Sequence, residues 1–205
     1  MQNNYLVDGL YDDGLESSSL GPAFTNDDSG KLRQTYRNVI QKLADYFKKE
    51  LDIEVEDADF TGVRVLFGDP KKYREGRGLD EQIILGLYNP ARREIVINDI
   101  YGDHRLRDLD LENNLNEGDH LALPSIERVL TEELVHHLQK KYGTMSRANK
   151  KLGEKARGYL EGSAAKISED VLGEPTPIYG KWKRDYDRIE RIFGKRRAFF
   201  EPALV

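Results

Sequence analysis

Ser125-Ile126-Glu127-Arg128-Val129-Leu130-Thr131-Glu132-Glu133-Leu134-Val135-His136-His137-Leu138-Gln139-Lys140-Lys141-Tyr142-Gly143 decides how this chain is read. Ser125, directly after Pro124, suits a helix N-cap, because its hydroxyl accepts from a free amide of the first turn. Gly143 stands where a helix ends on a left-handed residue. The segment between them is therefore predicted to be one helix. On it Glu132 and His136 are four residues apart and share a face, while Glu133 and His136 are three apart. Two ligand types one turn apart, with a carboxylate adjacent, are how a helix presents a divalent metal and a general base. The plainer reading of an isolated Glu-x-x-His is a pair of surface carboxylates, since Glu is a good helix former.

Working outward, a second helix is expected over about 154–172, with Leu160, Ala164, Ile167 and Val171 as its buried stripe and Gly173 and Pro175 ending it. A third, about 178–193, carries Ile178, Trp182, Tyr186, Ile189 and Phe193. Upstream, Ile83–Tyr88 and Glu94–Asn98 flank Asn89-Pro90-Ala91-Arg92, two β-rich runs around an Asn-Pro turn, which predicts a hairpin. Val63, Val65 and Phe67 alternate with Arg64 and Leu66 as a further strand, closed by Gly68-Asp69-Pro70. Before it, Leu32, Tyr36, Val39, Ile40, Leu43 and Phe47 recur every three or four residues, so a helix over about 31–51 follows, with Ser29 as its cap. Residues 99–124 are rich in Asp, Asn and Gly and read as irregular. A small, mostly antiparallel sheet against the central helix, followed by a helical C-terminal half, makes the fold class α+β.

Composition limits the chemistry. The chain has 205 residues, enough for one domain spanning 31–205 behind a flexible acidic segment, 1–30. Cysteine is absent, which removes thiol catalysis and thiolate metal sites, so any metal must be held by His, Asp or Glu. No apolar run approaches the roughly 20 residues of a membrane span, and the N-terminus lacks the pattern of a signal peptide, so a cytoplasmic location is expected. The net charge of −5 conceals an asymmetry: residues 1–30 hold six acids and no base, whereas 140–200 hold 16 Lys and Arg against eight acids. Such runs are most often solvated faces. The Lys195-Arg196-Arg197 cluster raises a nucleic-acid reading, disfavoured because no aromatic residues interleave it.

The segment Glu132–Gln139 resembles the His-Glu-Leu-x-His helix of the zincin metallopeptidases, departing from it at Glu132, where that family has its first histidine ligand. Gly158-Tyr159-Leu160-Glu161-Gly162-Ser163-Ala164 resembles the helix with which gluzincins supply a glutamate ligand, and it lies at a similar separation, 25 residues from His136 to Glu161. The hairpin before the helix, and Tyr179-Gly180 leading into an amphipathic helix closed by Phe193-Gly194, are similar to the surroundings of that site. The likeness covers roughly residues 80–200.

The resemblance implies a zincin-like domain in which His136 and Glu161 are metal ligands, Glu132 occupies the third ligand place with oxygen, and Glu133 is the general base. It further implies that Tyr179 steadies an oxyanion, with Tyr186 as competitor. The implied cofactor is zinc or another divalent ion, and the implied substrate a peptide or protein. Two carboxylates nearly neutralise a divalent ion, so weaker zinc binding and slow or absent peptidase activity are expected. The alternative is a catalytically dead zincin fold kept as a binding or structural module. The other histidines have plainer readings: His137 hydrogen-bonds a backbone carbonyl, and His104 and His120 are exposed in loops. Glu117-Gly118-Asp119-His120 gives a second Glu-x-x-His of the kind di-iron bundles use, but Gly118 speaks against a helix there. The acidic segment 1–30 is placed as an occluding, propeptide-like stretch.

Overall fold

The apolar stripe read over 32–47 is buried along its whole length, from Leu32 through Tyr36, Val39, Ile40 and Leu43 to Phe47. In the computed structural model, which describes residues 29–70, 84–98, 101, 124–175 and 180–203, it lies on α1 (Ser29–Tyr46) and a wider π turn (Phe47–Leu51). Asp52 ends the element in the left-handed region at φ 54°. The expected flexible segment lies outside the described residues except for Ser29 and Gly30, which open α1. Most of the irregular stretch 99–124, with His104 and His120, also lies outside them.

A short 3-10 turn (Asp57–Phe60) leads into β1 (Arg64–Gly68), and the hairpin follows as β2 (Gly86–Asn89) and β3 (Glu94–Asn98). Asn89 makes the turn, its side-chain oxygen accepting from the amides of Ala91 (3.0 Å) and Arg92 (3.3 Å). The strand order is β1-β3-β2. The expectation of a mostly antiparallel sheet is corrected: β2 pairs antiparallel with β3, but β1 pairs parallel with it, Val65 opposite Ile95 and Phe67 opposite Ile97. The central place of β3 explains its unbroken Ile95-Val96-Ile97, all fully buried, since a strand covered on both faces has no solvent side to alternate with.

The central helix, α2 (Ile126–Lys141), starts as read: Ser125 Oγ accepts from the Arg128 amide at 3.2 Å. Gly143 beyond its end has φ 73°. Leu130, Leu134, Val135 and Leu138 are fully buried, each contributing about 1.5–3 kcal/mol relative to exposure. Next comes α3 (Thr144–Leu152), a helix the sequence reading did not include. Its apolar content is one sparse stripe, Met145, Ala148 and Leu152, which packs beside Tyr186 and Ile189.

α4 (Ala156–Leu172), α5 (Gly180–Phe193) and a short α6 (Lys195–Phe200) complete the described chain. α4 and α5 cross closely because α4 carries glycine one turn apart. A Cβ on Gly162 would lie 2.4 Å from the Trp182 carbonyl oxygen, and one on Gly158 3.1 Å from the Trp182 ring. The architecture is α+β, a small mixed sheet on one side of α2 and helices on the other. Among the described residues no helix is long and apolar enough to cross a membrane.

Candidate functional site on the central helix

The helix α2 has two polar faces, one turned to the sheet and one to α4. On the α4 side, His136 Nε2 lies 3.4 Å from Glu161 Oε2. The other ring nitrogen, Nδ1, is 2.8 Å from Gln139 Oε1. Gln139 is itself oriented: its amide nitrogen donates to the Leu160 carbonyl (3.1 Å) and Ser163 Oγ (2.8 Å), both on α4. Its oxygen can therefore only accept, so Nδ1 of His136 carries a proton, and Nε2 is the atom that faces Glu161. Burial opposes charge on the imidazole, yet the hydrogen bond and charge of Glu161 win and raise His136 to about 10. Imidazolium and carboxylate thus form an ion pair, 13% and 21% exposed.

Glu133 lies beside this pair, under β2. A Cβ on Gly86 would come within 2.8 Å of Glu133 Oε1 and 2.5 Å of Val129 Cγ1, so only glycine lets the strand approach. The Tyr88 amide hydrogen-bonds the Glu133 carboxylate, but burial prevails and lifts the acid to about 7, against the pull of His136. A carboxyl near neutrality is suited to exchange a proton at working pH.

Glu132 is turned toward α2's own first turn. Arg128 Nε is 3.4 Å from Glu132 Oε1, and Arg128 Nη1 reaches the carbonyls of Glu174 (3.0 Å) and Pro175 (3.3 Å). Burial raises the Glu132 carboxyl, while Arg128 and His136 restrain it. Glu161 has a further cation nearby, Arg157 Nε at 4.0 Å.

Of the residues singled out from sequence, His136 and Glu161 are thus brought together, with Glu133 next to them and Glu132 engaged by Arg128. As the side chains stand, no three His, Asp or Glu among the described residues form a metal-holding group. The donor types nevertheless fit a divalent ion: one oriented imidazole nitrogen faces one carboxylate, with two more carboxylates adjacent. Tyr179 lies outside the described residues. Tyr186 is corrected as an oxyanion candidate: it is buried against Tyr159, ring centroids 5.5 Å apart, inside the α4–α5 core. His137 behaves as its plainer reading states, its Nε2 2.9 Å from the Asp59 carbonyl. Three residues escaped the sequence reading. Arg128 was legible as the i−4 neighbour of Glu132, Gln139 as the i+3 neighbour of His136, and Gly86 as a lone glycine inside a strand pattern.

The chain matches no known family model, no curated protein and no solved structure.

Proposed function

We propose that this chain is a zincin-like domain of the gluzincin type, a metal-dependent hydrolase attenuated by the carboxylate at position 132. One observation carries this reading: His136 Nε2 and the Glu161 carboxylate face each other at 3.4 Å from two helices, with the imidazole oriented by Gln139. His136 and Glu161 would hold a divalent ion, zinc or a harder substitute, and Glu132 would join them only on leaving Arg128. When bound, the ion would supply Lewis-acid polarisation of a peptide carbonyl and a more acidic water. Glu133, held by the Tyr88 amide under a strand, would serve as the general base beside that ion. The substrate class is a peptide or protein.

A second reading, a catalytically dead fold serving as a binding module, is favoured by the Arg128–Glu132 contact. With it and the His136–Glu161 pair, two carboxylates are already neutralised without a metal. Calorimetric titration of the metal-free chain with zinc separates the two. The hydrolase reading expects saturable binding, weak for a zincin, that is lost in His136→Ala and Glu161→Ala. Absence of binding in the unaltered chain selects the dead fold, and sub-nanomolar affinity would refute the attenuating role given to Glu132.

A further inference from the structure

Away from the His136–Glu161 pair, buried charge concentrates where α1, its π turn, α4, α5 and α6 meet. Asp170 on α4 is the hub. Lys166 donates to it, Lys195 Nζ approaches Oδ2 at 3.2 Å, and Tyr46 Oη donates to the same oxygen at 3.2 Å. Lys195 also lies 3.1 Å from Glu50 Oε2 and 5.2 Å over the Tyr46 ring. Glu190 on α5 completes the group from the far side, its Oε2 4.0 Å from Lys166 Nζ. Glu190 is 7% exposed, and its Oε1 is buried with no hydrogen-bond partner. One turn earlier, the Tyr186 hydroxyl is buried in the same condition.

The cations of this cluster are shared unequally among its three carboxyls. Lys195 and Lys49 both hold Glu50, at 3.1 and 3.2 Å, and Lys166 and Lys195 both hold Asp170, whereas the nearest cation to Glu190, Lys166, stays 4.0 Å away. Glu50 is held below its ordinary value by hydrogen bonds from Lys195 and Lys49. Burial works to raise Asp170, but Lys166 and Lys195 outweigh it and leave it low. The acid that takes up a proton is therefore Glu190, the one with the fewest donors and the deepest burial.

We propose that Glu190 is an internal proton-binding site whose protonated form latches the C-terminal helices α5 and α6 onto α4 and the end of α1. Every element packed there contributes a titratable or charged neighbour: Tyr46 from α1, Glu50 and Lys49 from the π turn, Tyr159, Lys166 and Asp170 from α4, Tyr186 and Asp187 from α5, and Lys195 from α6. Burial keeps the three tyrosine hydroxyls well above their ordinary value, so they stay neutral throughout. Burial lifts the Glu190 carboxyl from 4.5 to about 7, against Lys166 and reinforced by Asp170. A carboxyl raised in the folded state stabilises it fully below about 4.5, and that contribution is lost as pH rises through about 7.

The full chain and its Glu190→Gln variant, uncharged at every pH, provide the test. Their melting temperatures should coincide near about pH 4, and the unaltered chain should fall below the variant by about 5 °C near about pH 8.5. Because Glu133 titrates in the same range, the difference between the two proteins is read, not the slope of either. Amides of residues 180–200 should exchange faster with solvent at the higher pH, after correction for intrinsic rates, while those of 126–141 should not. Parallel melting curves would overturn the proposal. Should Glu190→Gln fail to fold, Asp170→Asn decides: with the neighbouring carboxylate gone, Lys166 is released to Glu190, and the pH-dependent loosening of 180–200 should vanish. Its persistence in that variant would equally overturn the proposal.

Discussion

Toward the sheet, α2 presents His137 between Phe60 and Tyr88, with ring centroids 5.8 and 5.5 Å away. Toward α4 it presents His136 beside Glu161 and Gln139. The two residues are consecutive, and their surroundings make them different groups. A carbonyl only accepts, so His137 Nε2–H donates to Asp59 and its Nδ1 accepts from the Tyr88 hydroxyl at 2.9 Å. Both nitrogens are used by the protein itself, and burial, with Arg93 nearby, depresses the ring to about 4. His136 has one nitrogen committed inside the protein and the other aimed at an anion. A histidine saturated by uncharged partners is a packing element. One aimed at a carboxylate leaves a place where a cation is stabilised.

If that contrast holds, the two faces of α2 respond unequally to substitution. The largest loss is expected from His137→Ala, which removes the ring that ties α2 to β2 and to the 3-10 turn and strands the Tyr88 hydroxyl. About 3 kcal/mol of stability should go, measured by urea unfolding, with zinc binding weakened only as far as the fold loosens. Gly86→Ala should come second, at about 2 kcal/mol, because its methyl meets Val129 and Glu133 head-on. Adding Val129→Ala to that variant should restore part of the loss, and strict additivity would show that the close approach of β2 is not the cause. His136→Ala should be mildest for stability, about 1 kcal/mol, since the pair it breaks is partly solvated. Equal losses for the two histidine variants would erase the contrast.

Much of the fold was legible where a local signal sufficed. Ser125 and Gly143 bound α2, Asn89 turns the hairpin, and the stripe from Leu32 to Phe47 is buried throughout. What depended on distant partners was not. The direction of β1 shows only in its pairing with β3, a partner far along the chain, and no residue in β1 encodes it. The helix α3 escaped notice because most of its residues are polar and its three apolar ones acquire meaning only against α5. The cluster Lys195-Arg196-Arg197 looked like a cationic patch, yet each member meets an acid, Glu50 and Asp170, Asp52, and Glu201 respectively. In the site, the sequence spacing put Glu132 level with His136. The same spacing puts Arg128 within reach of that carboxylate, but the Glu174 and Pro175 carbonyls that hold Arg128 in place lie far along the chain and were not legible. Gly158 and Gly162, read as flanks of a motif, also make room for Trp182.

His136 and Glu161 are proposed to form one half-built cation site. Crystals of the unaltered chain soaked in zinc, with anomalous scattering collected at the zinc edge, test it most directly. A peak within about 2.0–2.2 Å of both His136 Nε2 and a Glu161 oxygen is the predicted result. Zinc found only on surface carboxylates, with His136 and Glu161 still in direct contact, would contradict it.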